Sequence, residues 1–289
     1  MKWTERVGVE GATLLRGAGI GIAWGILYFD TLRRLVDDWI VDENYSHGFL
    51  LPVVGLYAIW SEREELRATP VAPRAGRGMA MMAAALLTLF AGIVSAELYL
   101  ARVSILLSLA ALAVYFGGMG WLRRLAFPIG LLFLAIPIPN LIFNQAAFPM
   151  QLLASDYAAR AIRWCGIPAL REGNVIELAQ MKLQVVEACS GIRSLVSLSA
   201  LAVVYARFTE TRWWRRVALV AAVAPIAILT NAARVTGTGL LAHRWGLQAA
   251  EGFLHGFSGW LIFLLAVLLL MGFAQTLGLA ERLIRREAP

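Results

Sequence analysis

Apolar residues run along this chain in long blocks separated by short clusters of arginines and acids. The blocks fall at roughly 10–29, 47–60, 78–96, 98–118, 122–139, 190–206, 216–233 and 256–276. A bilayer-spanning helix needs about 20 predominantly apolar residues, fewer where packing or local thinning helps. The pattern therefore predicts an all-α polytopic membrane protein with about eight transmembrane helices. The second block is short, and the fifth carries Pro128, Pro137 and Pro139. The first contains Arg16 and no small-residue cleavage pattern follows it, so it is expected to be a retained span rather than a cleaved signal.

The one long connection, 137–189, has its own pattern. From Asn140 to Trp164, Leu141, Phe148, Leu152, Leu153, Tyr157 and Ile162 recur at helical spacing, interrupted by Asp156, Arg160 and Arg163. This predicts an amphipathic helix on the membrane surface. Beyond it, Val175-Ile176-Glu177-Leu178 and Leu183-Gln184-Val185-Val186 alternate around Ala179-Gln180, predicting a small β-hairpin that delivers the chain to Cys189. The expected organisation is one integral membrane domain over 1–289, with 140–189 as an extracytoplasmic insertion.

Composition sharpens this picture. Of 289 residues, 60% are hydrophobic and only 16% charged, against about half and about a quarter in soluble domains. With a mean hydropathy of +0.69, the chain cannot be disordered, a secreted disulfide scaffold or an ordinary cytosolic enzyme. The net charge of +7 is mainly a topology signal. With the N-terminus inside, the inner segments hold Lys2 and Arg6; Arg63, Arg67, Arg74 and Arg77; Arg123 and Arg124; Arg207, Arg212, Arg215 and Arg216; and Arg282, Arg285 and Arg286. That is fifteen of the 26 basic residues. The outer 30–46 stretch is instead diluted by Asp30, Asp37, Asp38, Asp42 and Glu43. The expected topology is N-in, C-in, with no nucleic-acid partner, no metal and no other cofactor.

Ionisable side chains at membrane depth are costly, and each is a candidate functional residue. Cys189 begins the sixth span within Glu187-Ala188-Cys189-Ser190-Gly191-Ile192-Arg193, Arg234 closes the seventh three residues after Asn231, and His255 opens the eighth. Under the expected topology all three lie at the outer boundary, although the orientation was assigned without them. A cysteine at a helix N-terminus has its thiolate stabilised by unsatisfied N–H groups and the helix dipole. An imidazole can take the thiol proton and return it to a leaving amine. Arginine, always charged, suits a developing oxyanion or a substrate carbonyl. Together the three describe acyl transfer through a thioester.

Each has a plainer reading. A lone cysteine at a helix start is more often a small buried hydrophobe. An arginine at a span end commonly snorkels to the interface, and an interfacial histidine is usually just a satisfied polar group. His47, in Tyr45-Ser46-His47-Gly48-Phe49, is a rival base at the outer end of a span, whereas His243 in the 235–255 connection has no distinguishing context. Arg193, four residues after Cys189, either holds a substrate carboxylate or pairs with Glu187. The only other cysteine, Cys165, either packs against lipid or protein or bridges to Cys189, which would mask the nucleophile.

At these residues the sequence resembles the exosortase/archaeosortase family of membrane sorting enzymes. The resemblance rests on Glu187–Arg193, on Asn231-Ala232-Ala233-Arg234 and on His255. Ile136-Pro137-Ile138-Pro139-Asn140, Gln151–Ser155 and Ser46-His47-Gly48-Phe49 extend it over about residues 45–275. It implies a cysteine protease or transpeptidase of the bacterial inner membrane, with its site facing the periplasm or exterior. It would act on membrane-anchored partners bearing a C-terminal sorting signal: a short motif such as Pro-Glu-Pro, a transmembrane helix and a basic tail. It implies Cys189 as nucleophile, His255 as acid/base and Arg234 as transition-state stabiliser; beside these, Asn231, Arg193, Glu187, Ser190 and His47 are expected to bind substrate or support the site. It also suggests an exopolysaccharide setting.

Two other classes compete. Gly256-Phe257-Ser258-Gly259 fits the Gly-x-Ser-Gly pattern of rhomboid serine proteases, but no histidine follows Ser258. A non-catalytic transporter or scaffold for polysaccharide assembly would use Arg234 and His255 to bind an anion. Transporters place such charges near the midplane within broken helices.

Overall fold

A computed structural model describes residues 3–179, 181–185, 192–246 and 253–287. Contacts divide the chain into two units, Met1–Asp42 with Gly48–Pro137, and Glu43–His47 with Ile138–Pro289.

The first unit contains α1 (Trp3–Val41), α2 (Leu50–Ser61), α3 (Arg63–Ala68), α4 (Ala75–Val94), α5 (Leu98–Phe116) and α6 (Met119–Leu132), with a 3-10 turn over Phe133–Ala135. At its centre α4 and α5 form a close hairpin. The approach depends on glycine: a Cβ at Gly78 would lie 2.6 Å from the Tyr115 Cα, and one at Gly92 would lie 2.6 Å from the Ala101 backbone nitrogen. Small residues that let backbones meet are the usual device of membrane helix pairs, where lipid removes the hydrophobic drive to associate. Glu97 caps α5 by accepting from the Tyr99 N–H.

Along α5 runs α1, joined to it by polar contacts within the apolar interface. Trp24 Nε1 donates to Ser108 Oγ at 2.8 Å and Tyr28 Oη donates to the Ser104 carbonyl at 3.1 Å. Near the end of α1, Arg102 meets Asp38 at 2.6 Å and is only 3% exposed. Such burial is tolerable because the guanidinium brings its counter-charge with it. The acidic stretch expected to be an outer loop from residue 30 is therefore helical as far as Val41. At about 1.5 Å per residue, α1 reaches about 58 Å, well beyond one bilayer core of about 30 Å.

The second unit holds α7 (Asn140–Trp164), β1 (Ala169–Glu172), β2 (Val175–Leu178), β3 (Met181–Gln184), α8 (Ile192–Thr209), α9 (Trp213–Trp245) and α10 (Phe253–Glu287). The break before α7 is as expected: Pro137 and Pro139 cannot donate to a helix ladder, and Pro139 instead stands at the α7 N-cap. The α7 helix exists as expected, but it packs through its small residues. Ala154, Ala158, Ala159 and Ile162 form a core with Ile176, Leu178, Val185 and Val235, whereas Leu141, Phe148, Leu153 and Tyr157 point outward. The charges that interrupt its apolar pattern include residues that fasten the sheet. Asp156 pairs with Arg160 at 2.8 Å and with Arg171 at 3.6 Å, and Arg163 Nη1 donates to the Ala169 carbonyl at 3.1 Å.

The expected hairpin is present, with the second strand two residues earlier than anticipated, and it belongs to a three-stranded antiparallel sheet of order β1-β2-β3. The unanticipated β1 turns into β2 through Gly173-Asn174, where Gly173 has φ +61°. This left-handed conformation suits a two-residue hairpin loop. Across the β2–β3 pair, the Glu177 carboxylate raises the Lys182 pKa, chiefly by a hydrogen bond and then by charge. That contribution is present at neutral pH and is lost as pH rises past the ordinary lysine range.

Helices α8, α9 and α10 share a second core of Leu198, Ala202 and Ala206, Leu219 and Val223, and Ala266, Leu270 and Ala274. An ionic clasp closes one end of this bundle. Arg215 forks onto the buried Glu210 at 2.9 and 3.0 Å, Arg216 Nε donates to the Glu210 carbonyl at 2.8 Å, and Arg212 reaches Glu281 of α10 at 2.8 Å. Helix α9 corrects one expectation: Arg234 does not close it. The helix continues through Val235-Thr236-Gly237-Thr238-Gly239-Leu240-Leu241 to Trp245, taking in most of the expected 235–255 connection and His243. No proline interrupts that stretch, and Gly239 seats against Ile162 and Leu183, whose methyls would lie 2.8 and 3.1 Å from an added Cβ.

Among the described residues, four helical stretches are long and apolar enough to cross a membrane: Ala75–Val94, Leu98–Phe116, Trp213–Trp245 and Gly259–Arg282. A fifth arises if Met119–Ala135 and Asn140–Trp164 make one broken span, and Ser46–Ser61 is a shorter apolar helix.

Candidate functional site

Helix α9 presents Asn231 and Arg234 one turn apart. Asn231 is 3% exposed and Arg234 half-buried. The Arg234 guanidinium leans onto α10 at Gly259, where an added Cβ would lie 3.6 Å from Nη2 and 3.8 Å from Cζ. Gly259 follows His255 by four residues, and residues four apart share one helical face. His255 itself lies within α10, with its side chain outside the described set. A planar, permanently charged fork is thus carried to the α10 face on which His255 stands. An arginine so placed can offer several N–H donors to an oxygen that gains negative charge.

Glu187, Cys189 and Ser190 lie outside the described residues, as does the Ser258 side chain on which the serine-protease alternative turns. The described chain resumes at Ile192, the first residue of α8. Arg193 of α8 extends to a distant segment. Its Nε donates to Asn44 Oδ1 at 3.2 Å and its Nη1 donates to a Glu43 carboxylate oxygen. One turn further along α8, Ser197 Oγ lies 3.4 Å from His47 Nδ1. Between these contacts, Tyr45 stacks on His47 with centroids 6.1 Å apart and accepts the Ile138 N–H at its hydroxyl, 3.0 Å away.

The structure thus brings Arg234 onto α10 at Gly259, and brings His47 to α8 beside Arg193. Its partners for Arg193, Glu43 and Asn44, were not among the expected ones. Glu43, Asn44, Tyr45, Ser197 and Gly259 had no assigned role in the sequence analysis. Only Ser197 left a local signal, lying four residues after Arg193. Cys165, at the C-cap of α7, is exposed with a free thiol.

A helical core, several stretches long and apolar enough to cross a bilayer, and charged side chains held between helices define a polytopic α-helical membrane protein. The family model described as transmembrane exosortase matches residues 39–272, and the chain belongs to that family. Comparisons with curated proteins and with solved structures return no match.

Proposed function

We propose that this protein is a cysteine protease or transpeptidase that processes membrane-anchored proteins at a C-terminal sorting signal. Family membership supports a sorting-enzyme role. The observation that carries the chemical reading is the Arg234 guanidinium seated against Gly259, one turn from His255 on α10. In this reading His255 takes the Cys189 thiol proton, and the thiolate attacks the carbonyl carbon of the scissile peptide. Arg234 hydrogen-bonds the oxygen as it becomes negative. Collapse breaks the C–N bond, and the departing amine takes the proton from the His255 imidazolium. The resulting thioester is then resolved by water, an amine or a lipid nucleophile, with His255 again as base.

The proposed topology is eight spans with both termini inside, and the reacting residues at the outer boundary. Arg234 then stands where the membrane portion of α9 ends. The 11 residues after it, as far as Trp245, project about 16 Å further at the helical rise. His47 has a weaker claim as the base, because the α8 residue it contacts, Ser197, stands eight positions beyond Cys189 in the sequence.

Co-expression with a tagged protein bearing a sorting signal tests the reading. Processing is expected to disappear in Cys189→Ala, and to fall by about 100-fold or more in Arg234→Ala, the scale of losing one oxyanion donor. Undiminished processing by Cys189→Ala overturns the mechanism. Loss in Ser258→Ala with retention in Cys189→Ala supports the serine-protease alternative instead.

A further inference from the structure

Within the first unit, Ile20 of α1, Gly78, Met79 and Met82 of α4, and Leu112 and Tyr115 of α5 help to line a cavity of about 200 Å³. Its lining is apolar apart from the Tyr115 hydroxyl. Both α4 and α5 are long and apolar enough to span a bilayer. Gly78 stands in the opening turn of α4 and Tyr115 in the closing turn of α5, so the cavity lies near one membrane boundary.

The size and the lining decide what fits. Water needs two or more polar partners, and one hydroxyl is a poor host. A helix is about 10–12 Å across with its side chains, too wide for this space. An empty cavity would forfeit dispersion contacts along its whole wall. A single acyl chain is narrow enough, and Met79 and Met82 are flexible enough to mould around one.

Charge marks the same end of the cavity. The Arg74 N–H donates to the Val114 carbonyl at 3.3 Å, and its own carbonyl accepts the Gly78 N–H at 2.8 Å. Arg74 is thereby tied by its backbone to both the α4 and the α5 wall. Arg77 immediately precedes Gly78. Both arginines are exposed, and neither makes an ion pair among the described residues. No acid occurs over 66–96 or 98–155. The α4 N-terminus has no side-chain cap, so its dipole adds to the same positive field.

We propose that this cavity binds a phospholipid with a negatively charged headgroup, one acyl chain lying in the cavity and the phosphate meeting Arg74 and Arg77. A tail gains little apolar burial on leaving the bilayer, so selectivity comes from the headgroup. The inference does not rest on the reading of Cys189, Arg234 and His255.

The test uses the full chain in detergent, titrated with phosphatidylglycerol or with phosphatidylcholine carrying the same acyl chains. Bound lipids are counted by native mass spectrometry, with thermal unfolding followed alongside. The first phosphatidylglycerol is expected to bind about tenfold or more tightly than the first phosphatidylcholine, and Arg74→Gln and Arg77→Gln each to weaken it by about fivefold. Phosphatidylcholine binding is expected to stay unchanged in both variants. Arg123→Gln, at an exposed arginine outside the cavity, is expected to change neither lipid. Met82→Trp, which fills the space, is expected to weaken both.

Equal affinity for the two lipids in the wild type overturns the proposal. So does unchanged phosphatidylglycerol binding in both arginine variants, or an equal loss in Arg123→Gln, which marks unspecific charge. Undiminished binding in Met82→Trp marks a headgroup contact without the cavity and overturns it as well. If Met82→Trp lowers Tm, the arginine variants still decide. Competition by glycerol phosphate, which has no tail, marks a free-phosphate site and also overturns it.

Discussion

At Gly259 the Arg234 guanidinium rests on α10 with room for a methyl group and little more. An added methyl would lie 3.6 Å from Nη2, an ordinary contact distance, so Gly259→Ala is expected to keep processing near wild type. Gly259→Leu would occupy the space the guanidinium fills, and processing is expected to fall about as far as in Arg234→Ala, read by the same co-expression assay. A comparable loss in Gly259→Ala would show that Arg234 does not act from this seat. How much of the site was legible at this scale depends on sequence distance. Asn231 and Arg234 are separated by three residues, and helical periodicity alone puts them on one face. Arg193 and Glu43 are 150 positions apart, and local spacing points instead to Glu187. Long-range ion pairs leave no trace in periodicity, because either partner alone reads as a surface charge.

Among the elements, apolar blocks translated well into helices, and their ends translated poorly. Arg234 looked like a terminus because charge usually marks the edge of a span, and Gly237 and Gly239 follow it, yet Val235–Ala242 has no proline and α9 runs on to Trp245. Strand β1 was missed because Ala169-Leu170-Arg171-Glu172 is short and charged, although the following Gly173-Asn174 is a recognised hairpin signal. The bulky apolar residues of α7 were expected to face the membrane surface, and most of them do point outward; which residues make its protein contact was not legible, and the alanines make it, since small side chains allow closer approach. The α4–α5 hairpin shows the same preference. Gly92→Leu would drive a side chain into the Ala101 backbone and is expected to cost about 1–3 kcal/mol or more. Thermal unfolding in detergent should show a clear drop in Tm. Gly130→Leu, where nothing lies within 4 Å, is expected to change Tm little. Equal effects at the two positions would count against close packing at Gly92.

For the whole molecule, the charge pattern predicts that reporters fused at either terminus report the inside, and that one inserted in the Gly173-Asn174 turn reports the outside. A C-terminal fusion on the outside would invert the last three spans and remove Arg234 and His255 from the proposed reaction face. Membrane character was legible from composition, but the division into two units was not, because it depends on which apolar faces meet. The ionic clasp at Glu210, Arg212, Arg215 and Glu281 sits at one end of α8, α9 and α10, and Arg193, Arg234 and His255 belong to the opposite half of those helices. Three rods gripped near one end act as levers. A tilt of about 3° over about 30 Å of helix displaces its far end by about 1.5 Å, and a misplacement of about 1 Å can cost about a hundredfold in rate. In the proposed reaction, charges far from any reacting atom would thereby set the aperture in which those atoms meet.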